Sequence, residues 1–413
     1  MHLKEKFIEF INNSPVSSFA INSAKKILED NGYINIDKIN IELGKKYYYI
    51  RNDSSIIAFD IPKQLGDKIN MVSSHSDSPY FKIKANPNIH KNNYTMLNTS
   101  VYGGMIMSSF VDIPLNIAGR VNYIENGCVM SKLINFDAPV AIIPNLAIHL
   151  NREVNQGYKY QLGKELFPIY SQGKRDLLRD IKERFNIPTD IVSHDLYLTS
   201  FIKPYLWGID QEFISSPRID NLQCAFTSLI SFVETVHKNL SLCCIFDNEE
   251  VGSLSYMGAS SDMLNYIFDK ICDDLSIKKT QLYSMIENSF VISADNAHAL
   301  HPNFSEKYDN YHECSINHGP VIKYSANQSY TTDSYTAAEF INLCNNVSVP
   351  YQVFENHSAI RGGSTLGNLL NYHTSLKSID IGLPQLAMHS ALETAGTKDI
   401  EYMVEVLKAY YVR

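Results

Sequence analysis

Apolar residues recur at helical spacing through the first thirty positions and then give way to short runs with the two-residue period of strands. Phe7, Ile8, Phe10 and Ile11 mark one amphipathic segment and Phe19, Ala20, Ala24, Ile27 and Leu28 a second. Two short helices are therefore predicted, broken at Ser14-Pro15, stopped at Asn31-Gly32, and expected to cover a sheet edge or pack on a neighbour. Residues 46–62 alternate around a polar turn, and residues 69–74 form another strand. From about Asn86 to Ile209 the texture changes to short β-branched runs, with a strand-like segment at 113–123 and a polar helical stretch at 174–186 that Pro188 ends. From Gln211 onward helical patterns, including one over 222–236, alternate with apolar strands at 242–246, 290–293, 351–354 and 378–381. That alternation argues an α/β domain with a largely parallel sheet. The predicted division is a discontinuous domain of residues 1–90 and 211–413, interrupted by an inserted, mainly-β domain at 91–210. No internal repeat, low-complexity tract or heptad register is present.

The chain has 413 residues, more than one hydrophobic core usually organises. Hydrophobic residues make up 45% and charged residues 19%, which excludes the disordered class. A formal charge of -8 and the lack of any basic run argue against nucleic-acid and anionic-membrane partners. The longest apolar stretch, 138–150, is interrupted by Pro144, Asn145 and His149 and falls short of the roughly 20 residues of a membrane span. The N-terminus lacks the apolar core of a signal peptide. Seven scattered cysteines without C-x-x-C spacing read as reduced, buried thiols. A soluble cytoplasmic protein is expected.

In an open α/β sheet, reactive groups collect beyond the carboxyl ends of the strands, and here those positions are rich in Asp, Glu and His. The strand at 69–74 runs into His75-Ser-Asp77-Ser-Pro79, and the strand at 242–246 into Asp247-Asn-Glu249-Glu250-Val-Gly252. The strand at 290–293 leads to Asp295-Asn-Ala-His298, that at 378–381 leads to Met388-His389, and Arg218-Ile-Asp220-Asn221 opens a helix. Each has an ordinary structural reading when taken alone: a core imidazole for His75 or His389, a helix or turn cap for Asp220 or Asp295, a solvated turn for Glu249-Glu250. Five such ends converging on one crevice make a metal site the economical reading. Two His and three carboxylates complete a pair of three-ligand sites if one carboxylate bridges, which suits a dinuclear hydrolytic centre of zinc or a similar ion. Adjacent in sequence, Glu249 and Glu250 point in different directions, so one is read as ligand and the other as general base. Asp77, two residues beyond His75, can accept its other ring N–H and fix the tautomer.

With these motifs the sequence resembles the M18 family of metalloaminopeptidases, the aspartyl-aminopeptidase-like group of clan MH, over almost its whole length. The resembling segments are Ser74-His-Ser-Asp-Ser-Pro79, Asn145-Leu-Ala-Ile-His-Leu-Asn-Arg152, Ser216-Pro-Arg-Ile-Asp-Asn-Leu222 and Asp247-Asn-Glu-Glu-Val-Gly-Ser253. Ser293-Ala-Asp-Asn-Ala-His-Ala-Leu-His-Pro302, Gly319-Pro-Val-Ile-Lys323 and Gly382-Leu-Pro-Gln-Leu-Ala-Met-His-Ser390 complete the set. The resemblance implies Asp220 as bridging carboxylate, Glu250 and His389 on one metal, His75 and Asp295 on the other, and Glu249 as general base. It further implies substrate contacts at His149, His298, Lys323 and Tyr330, with His149 reaching from the inserted domain into a partner subunit. The implied fold is a three-layer α/β sandwich with a mixed sheet plus an inserted dimerisation domain, and the implied assembly is a tetrahedral dodecamer.

The function expected is removal of N-terminal residues from peptides with a free N-terminus, using two divalent ions, zinc first with manganese or cobalt as alternatives. The chain departs from the acid-specific branch at Arg361-Gly-Gly-Ser364, where Pro-Cys-Gly-Thr is expected, and at Ser76, where Thr is common. The preference between acidic and other N-terminal residues is therefore left open. Two rivals stand beside this reading: a di-metal carboxypeptidase or deacylase of the M20 type, and a non-catalytic assembly protein on the same scaffold. The first would need a cation for a substrate carboxylate, and the second would be marked by a lost ligand or base.

Overall fold

Every residue of the strand Ser55–Asp60 is buried, although its composition alone suggests a half-exposed strand. The reason is visible in the computed structural model, which describes residues 2–360, 362–371 and 374–413. This strand lies inside a sheet, between Lys46–Arg51 and Leu240–Phe246, and both of its faces meet apolar layers. Ile56 and Ala58 join one core cluster, whereas Ile57 and Phe59 join another. The alternation thus divides side chains between two cores instead of between core and solvent.

By contact density the chain forms two units: Met1–Asp77, Pro204–Met388 and Glu393–Arg413 make up the larger, and Ser78–Lys203 with His389–Leu392 the smaller. Among the described residues the larger unit contains a nine-stranded mixed sheet. Its centre is four parallel strands in the order Leu240–Phe246, Ile69–His75, Phe290–Ala294, Ser378–Gly382. Ser55–Asp60 flanks this block antiparallel on one side and Val321–Tyr324 on the other. The four central strands therefore end together at one edge, where His75 closes its strand and Asp247 and Asp295 directly follow theirs. Val321–Tyr324 runs against its neighbour, so the sheet is mixed and not simply parallel.

Helices cover both faces of this sheet, giving three layers. On one side lie Leu3–Asn12, Ser17–Asp30, Ile219–Val233, Ser334–Asn346 and Thr397–Tyr411, whose buried side chains share a single cluster with Val72, Ile245 and Ile292. On the other lie Met263–Leu275, Lys279–Glu287 and Leu366–Leu370, packed on Met71, Leu242 and Val291. The two N-terminal helices do not merely cover an edge. Phe7 and Phe10 both pack on Phe226 with ring centroids 5.5 Å apart, each buried ring contributing about 1.5–3 kcal/mol. In the second helix the buried face runs through Ala20, Ile21, Ala24 and Leu28, and Phe19 lies at its margin. A smaller five-stranded sheet, ordered Tyr205–Trp207, Phe213–Ser216, Glu393–Gly396, Pro384–Leu386, Ala297–His298, completes this unit.

The smaller unit is built on a six-stranded antiparallel sheet, ordered Cys128–Asn135, Leu115–Glu125, Ile191–Ser200, Tyr80–Lys91, Tyr94–Tyr102, Ile169–Gln172. Phe81, Ile83, Ile117, Leu196 and Leu198 form its core. The helix Leu177–Arg184 buries Leu177 and Ile181 on that core, and Asp176 caps it by accepting from Arg179 N at 3.1 Å. The strand Tyr80–Lys91 falls in the smaller unit and Tyr205–Trp207 in the larger. Tyr80–Lys91 pairs with strands of the insertion, and Tyr205–Trp207 pairs with Phe213–Ser216 of the larger unit. All seven cysteines are free and six are buried, Cys128 being the exposed one. No helix among the described residues is long and apolar enough to cross a membrane.

Candidate metal centre

His75 ends a strand buried at all seven positions, so its ring has little freedom. Its Nε2 lies 3.4 Å from Asp295 Oδ1, 3.6 Å from Asp220 Oδ1 and 4.0 Å from Glu249 Oε2. One donor atom from each of His75, Asp220 and Asp295 falls within 4.8 Å of the others, and all three residues are buried. A carboxylate oxygen of Glu250 lies within the same distance of one on Asp220. The sequence-predicted His75, Asp220, Asp295, Glu249 and Glu250 are thus brought together in the larger unit.

Asp77 does more than orient His75. It offers His75 Nδ1 two acceptors, its backbone O and its Oδ1, each at 3.2 Å, while its two carboxylate oxygens also accept from the backbone N–H groups of Glu249 and Glu250, each at 3.1 Å. Asp77 therefore fixes the imidazole tautomer through its backbone and side chain together, and its carboxylate fixes the turn that carries the two glutamates. That turn departs sharply from the strand Leu240–Phe246, with Asn248 in the left-handed region at φ 63, a conformation asparagine tolerates better than most side chains. Asp247 anchors its start by accepting from Ser17 Oγ at 2.8 Å and Asn248 N at 2.9 Å.

Asp220 sits at the opening of the helix Ile219–Val233, where residues 220 and 221 have non-helical dihedrals. Its backbone N–H donates to Glu393 Oε2 at 3.0 Å. Asn221 Oδ1 accepts from Asn296 N at 3.1 Å, and Asn221 Nδ2 donates to Ala294 O at 3.0 Å. These bonds lock the Asp220 loop to the strand end bearing Asp295. The sequence reading did not single out Glu393, Asn221 or Asn296; the only signal was their closeness to the ligand motifs.

The electrostatics follow from this crowding. Burial first, and then the fields of Asp295, Asp77 and Asp220, push the Glu249 carboxyl up to about 8, against the opposing pull of His75. For His75, burial works against the charged form, but bonding to Asp295 and Asp77 and the field of Glu249 outweigh it and raise its pKa. One buried nitrogen and several carboxylate oxygens form a donor set of the type that borderline and hard divalent cations take. So much negative charge collected in one buried place also suits such a cation.

Of the residues expected to contact substrate, Lys323 is buried and donates from Nζ to Asn296 O at 2.8 Å, with Asp295 Oδ2 at 3.9 Å. Burial opposes its charge, yet Asp295 above all, with Tyr330, Asp380 and Asp220, raises its pKa above the ordinary lysine value. The Tyr330 ring, also buried, lies with its centroid 5.5 Å from that ammonium. His298 is exposed and helps line a cavity of about 430 Å³ together with His301, Lys307, Phe354 and His357. In the smaller unit His149 is exposed in the short turn Ile148–Leu150. His389 belongs to the smaller unit, its Nδ1 2.7 Å from Gly104 O. Arg361 lies outside the described residues.

The family description "Aminopeptidase I zinc metalloprotease (M18)" matches residues 10–411. The chain belongs to the M18 family. It is a metalloprotease hydrolase of the aminopeptidase type. The probable M18 family aminopeptidase 2 of Clostridium novyi (strain NT) is 39% identical to it over 422 aligned positions, covering 98% of each chain. Its counterpart in Clostridium acetobutylicum is 38% identical, covering 100% of this chain and 99% of that one. Among solved structures, the cryo-EM structure of the Ape4 and Nbr1 complex superposes with a TM-score of 0.93 at 31% identity, covering 99% of this chain and 85% of that one. The S. cerevisiae mApe1 dodecamer superposes at 0.86 with 25% identity, covering 99% and 96%. The mixed α/β architecture of this M18 chain is that of the M18 aminopeptidases.

Proposed function

We propose that this M18 chain removes the N-terminal residue of peptides at a centre of two divalent ions, with Asp220 as the shared ligand. His75 and Asp295 complete one ion, Glu250 and His389 the other, and zinc is the first choice of metal with manganese or cobalt as alternatives. The observation that carries the reading is the grouping of His75, Asp220 and Asp295 within 4.8 Å, with Glu249 at 4.0 Å from His75 and Asp77 bonded to both His75 and the glutamate turn.

When bound, such ions polarise the scissile carbonyl and bring the pKa of a water to about 7. The protein's part is positioning and proton transfer. Glu249 accepts a proton from the attacking water and returns it to the leaving amine, a task helped by a carboxyl raised toward neutrality. Asp77 holds the His75 ring and, through the backbone of residues 249 and 250, sets where the base and its neighbouring ligand point. Lys323, Tyr330 and His298 contact the substrate from the same unit. Lys323 carries a buried positive charge, which favours an acidic N-terminal side chain, while neutral residues are accepted more weakly. An exposed His149 fits a role at a neighbouring subunit's site. The dodecamer named for S. cerevisiae mApe1 supports a homo-oligomer here, and free, mostly buried cysteines support a reducing, cytoplasmic setting.

The test is release of the N-terminal residue from a panel of unblocked and N-terminally blocked peptides, as purified, after chelation, and after addition of zinc, manganese or cobalt. Metal-dependent release confined to free N-termini is expected. Glu249→Gln is expected to keep its metal while kcat falls at least about 100-fold. Cleavage of blocked peptides, or a Glu249→Gln enzyme with near-normal kcat, would overturn the assignment.

A further inference from the structure

Asp380 has no part in the centre described above, yet it is a wholly buried carboxylate in the middle of the strand Ser378–Gly382. None of its hydrogen-bond partners is a cation. Its Oδ2 accepts from Thr331 N at 2.6 Å and Thr331 Oγ1 at 2.9 Å, and its Oδ1 accepts from Thr365 Oγ1 at 2.6 Å. Its own backbone N–H donates to Thr332 Oγ1 at 3.0 Å. A buried carboxylate is costly unless its lone pairs are satisfied, and here three donors from two separate chain segments satisfy them.

Those segments flank the substrate side of the site. Thr331 and Thr332 directly follow Tyr330, whose ring lies beneath the Lys323 ammonium. Thr365 stands immediately before Leu366–Leu370 with its hydroxyl turned to Asp380 instead of capping the helix, and Gly367 in that helix approaches so closely that an added Cβ would meet Asp380 Oδ2 at 2.8 Å and Thr331 Oγ1 at 2.9 Å. Val321 pairs with Gly382 and Ile322 with Ile381 in antiparallel register, and the pairing stops there, because the Asp380 N–H donates to Thr332 Oγ1 instead. Bonds from Asp380 to Thr331 and Thr365, backbone from Thr331 to Tyr330, and the ring contact from Tyr330 to Lys323 form an unbroken physical connection.

We propose that Asp380 is a positioning residue for substrate recognition: by clamping the 330–332 segment and Thr365 together it sets the placement of Tyr330 and Lys323. The inference rests on the aminopeptidase reading for the identity of the substrate. Asp380→Ala removes the acceptor of three donors and frees both segments. Asp380→Asn keeps the clamp, because Oδ1 can accept from Thr331 while Nδ2 donates to a rotated Thr365 hydroxyl.

The experiment compares wild type, Asp380→Ala, Asp380→Asn and Thr365→Val in their metal-loaded form. It measures kcat and KM on unblocked dipeptides, metal content, and hydrogen exchange over residues 325–335. The alanine variant is expected to raise KM on the order of tenfold, with kcat changed by less than about threefold and metal content unchanged, the pattern of lost uniform binding. Its 325–335 segment is expected to exchange faster, and the asparagine variant to restore both KM and exchange to within about twofold of wild type. Should the alanine variant fail to fold, Thr365→Val carries the test with a KM raised about threefold at constant kcat. An unchanged KM in the alanine variant, or in Thr365→Val when that stands in, overturns the proposal. So does a loss of metal and kcat shared equally by the alanine and asparagine variants, which marks a role in folding alone. If wild type releases no N-terminal residue under any metal, the aminopeptidase reading fails on its own. Hydrogen exchange then decides the clamp: faster exchange in alanine reversed by asparagine sustains it, and identical exchange in all forms overturns it.

Discussion

Replacing Asp77 by Asn changes one oxygen to an amide nitrogen and leaves the shape nearly intact, so the cost can be worked from the bonds it disturbs. Oδ1 serves Glu249 N and shares His75 Nδ1 with the Asp77 backbone O, which the substitution leaves in place, and Oδ2 serves Glu250 N. In its better orientation the asparagine keeps its oxygen on His75 and Glu249 and points its NH₂ at the Glu250 N–H. One charge-assisted bond is lost, two donors face each other, and one N–H in the turn has no acceptor. A buried donor left unsatisfied costs about 1–3 kcal/mol, equivalent to roughly 5- to 150-fold in an equilibrium or rate constant. The strain falls on the backbone of a proposed metal ligand, and the His75 ring faces a neutral acceptor instead of a carboxylate. Both effects weaken metal binding, in line with the roughly 10- to 100-fold losses seen when partners of metal ligands are changed. The assay is zinc affinity by competition with a chelator, followed by kcat/KM at saturating metal. Affinity is expected to fall roughly 10- to 100-fold, with a further deficit in kcat/KM that excess metal does not recover, because the Glu249 turn is displaced as well. Both quantities staying within about twofold of wild type would refute the claim that Asp77 couples His75 to the glutamates.

Two further outcomes follow from other parts of the molecule. His237 is buried against Phe232 and Tyr411 and bonds Phe232 O at 2.9 Å; burial, chiefly, lowers its pKa from 6.5 to about 4. The unfolded chain therefore binds more protons than the folded one between these values, so this group's contribution falls as pH drops through 6.5, by about 2 kcal/mol near pH 5. Urea unfolding of wild type and His237→Gln at pH 7 and pH 5 checks the sign: the wild-type advantage should shrink at pH 5, and an advantage that grows there rules the argument out. Gly382 closes the strand beside Asp295, and a Cβ there would lie 1.9 Å from Asp295 O. Gly382→Ala is expected to destabilise the protein by more than about 2 kcal/mol and to lower metal content, as read by thermal unfolding and metal analysis; a fully metallated, equally stable variant would contradict it.

How much of this was readable beforehand depended on the range of the interactions. Apolar runs ending in Asp or His were visible at His75, Asp247 and Asp295, because a buried parallel strand is a local pattern and the residue at its end sits at the sheet edge. The direction of Val321–Tyr324 was not readable, since four apolar-leaning residues look the same in either orientation. Nor was the sheet that Tyr80–Lys91 joins, because the segment reads as a strand in either. The second task of Asp77 depends on Glu249 and Glu250 folding back across 172 and 173 positions, and no spacing rule encodes such a contact. Asp380 is the extreme case: in sequence it is one acid in an apolar strand, the place where a charge should be excluded. Only the convergence of Thr331 and Thr365 on it shows how the charge is tolerated. Local pattern thus located the residues proposed to meet metal, while the residues that hold them in place emerged only from long-range contacts. Mutations at such supporting positions are therefore expected to separate metal binding, turnover and substrate affinity from one another, whereas loss of a proposed ligand such as Asp220 is expected to remove metal and turnover together.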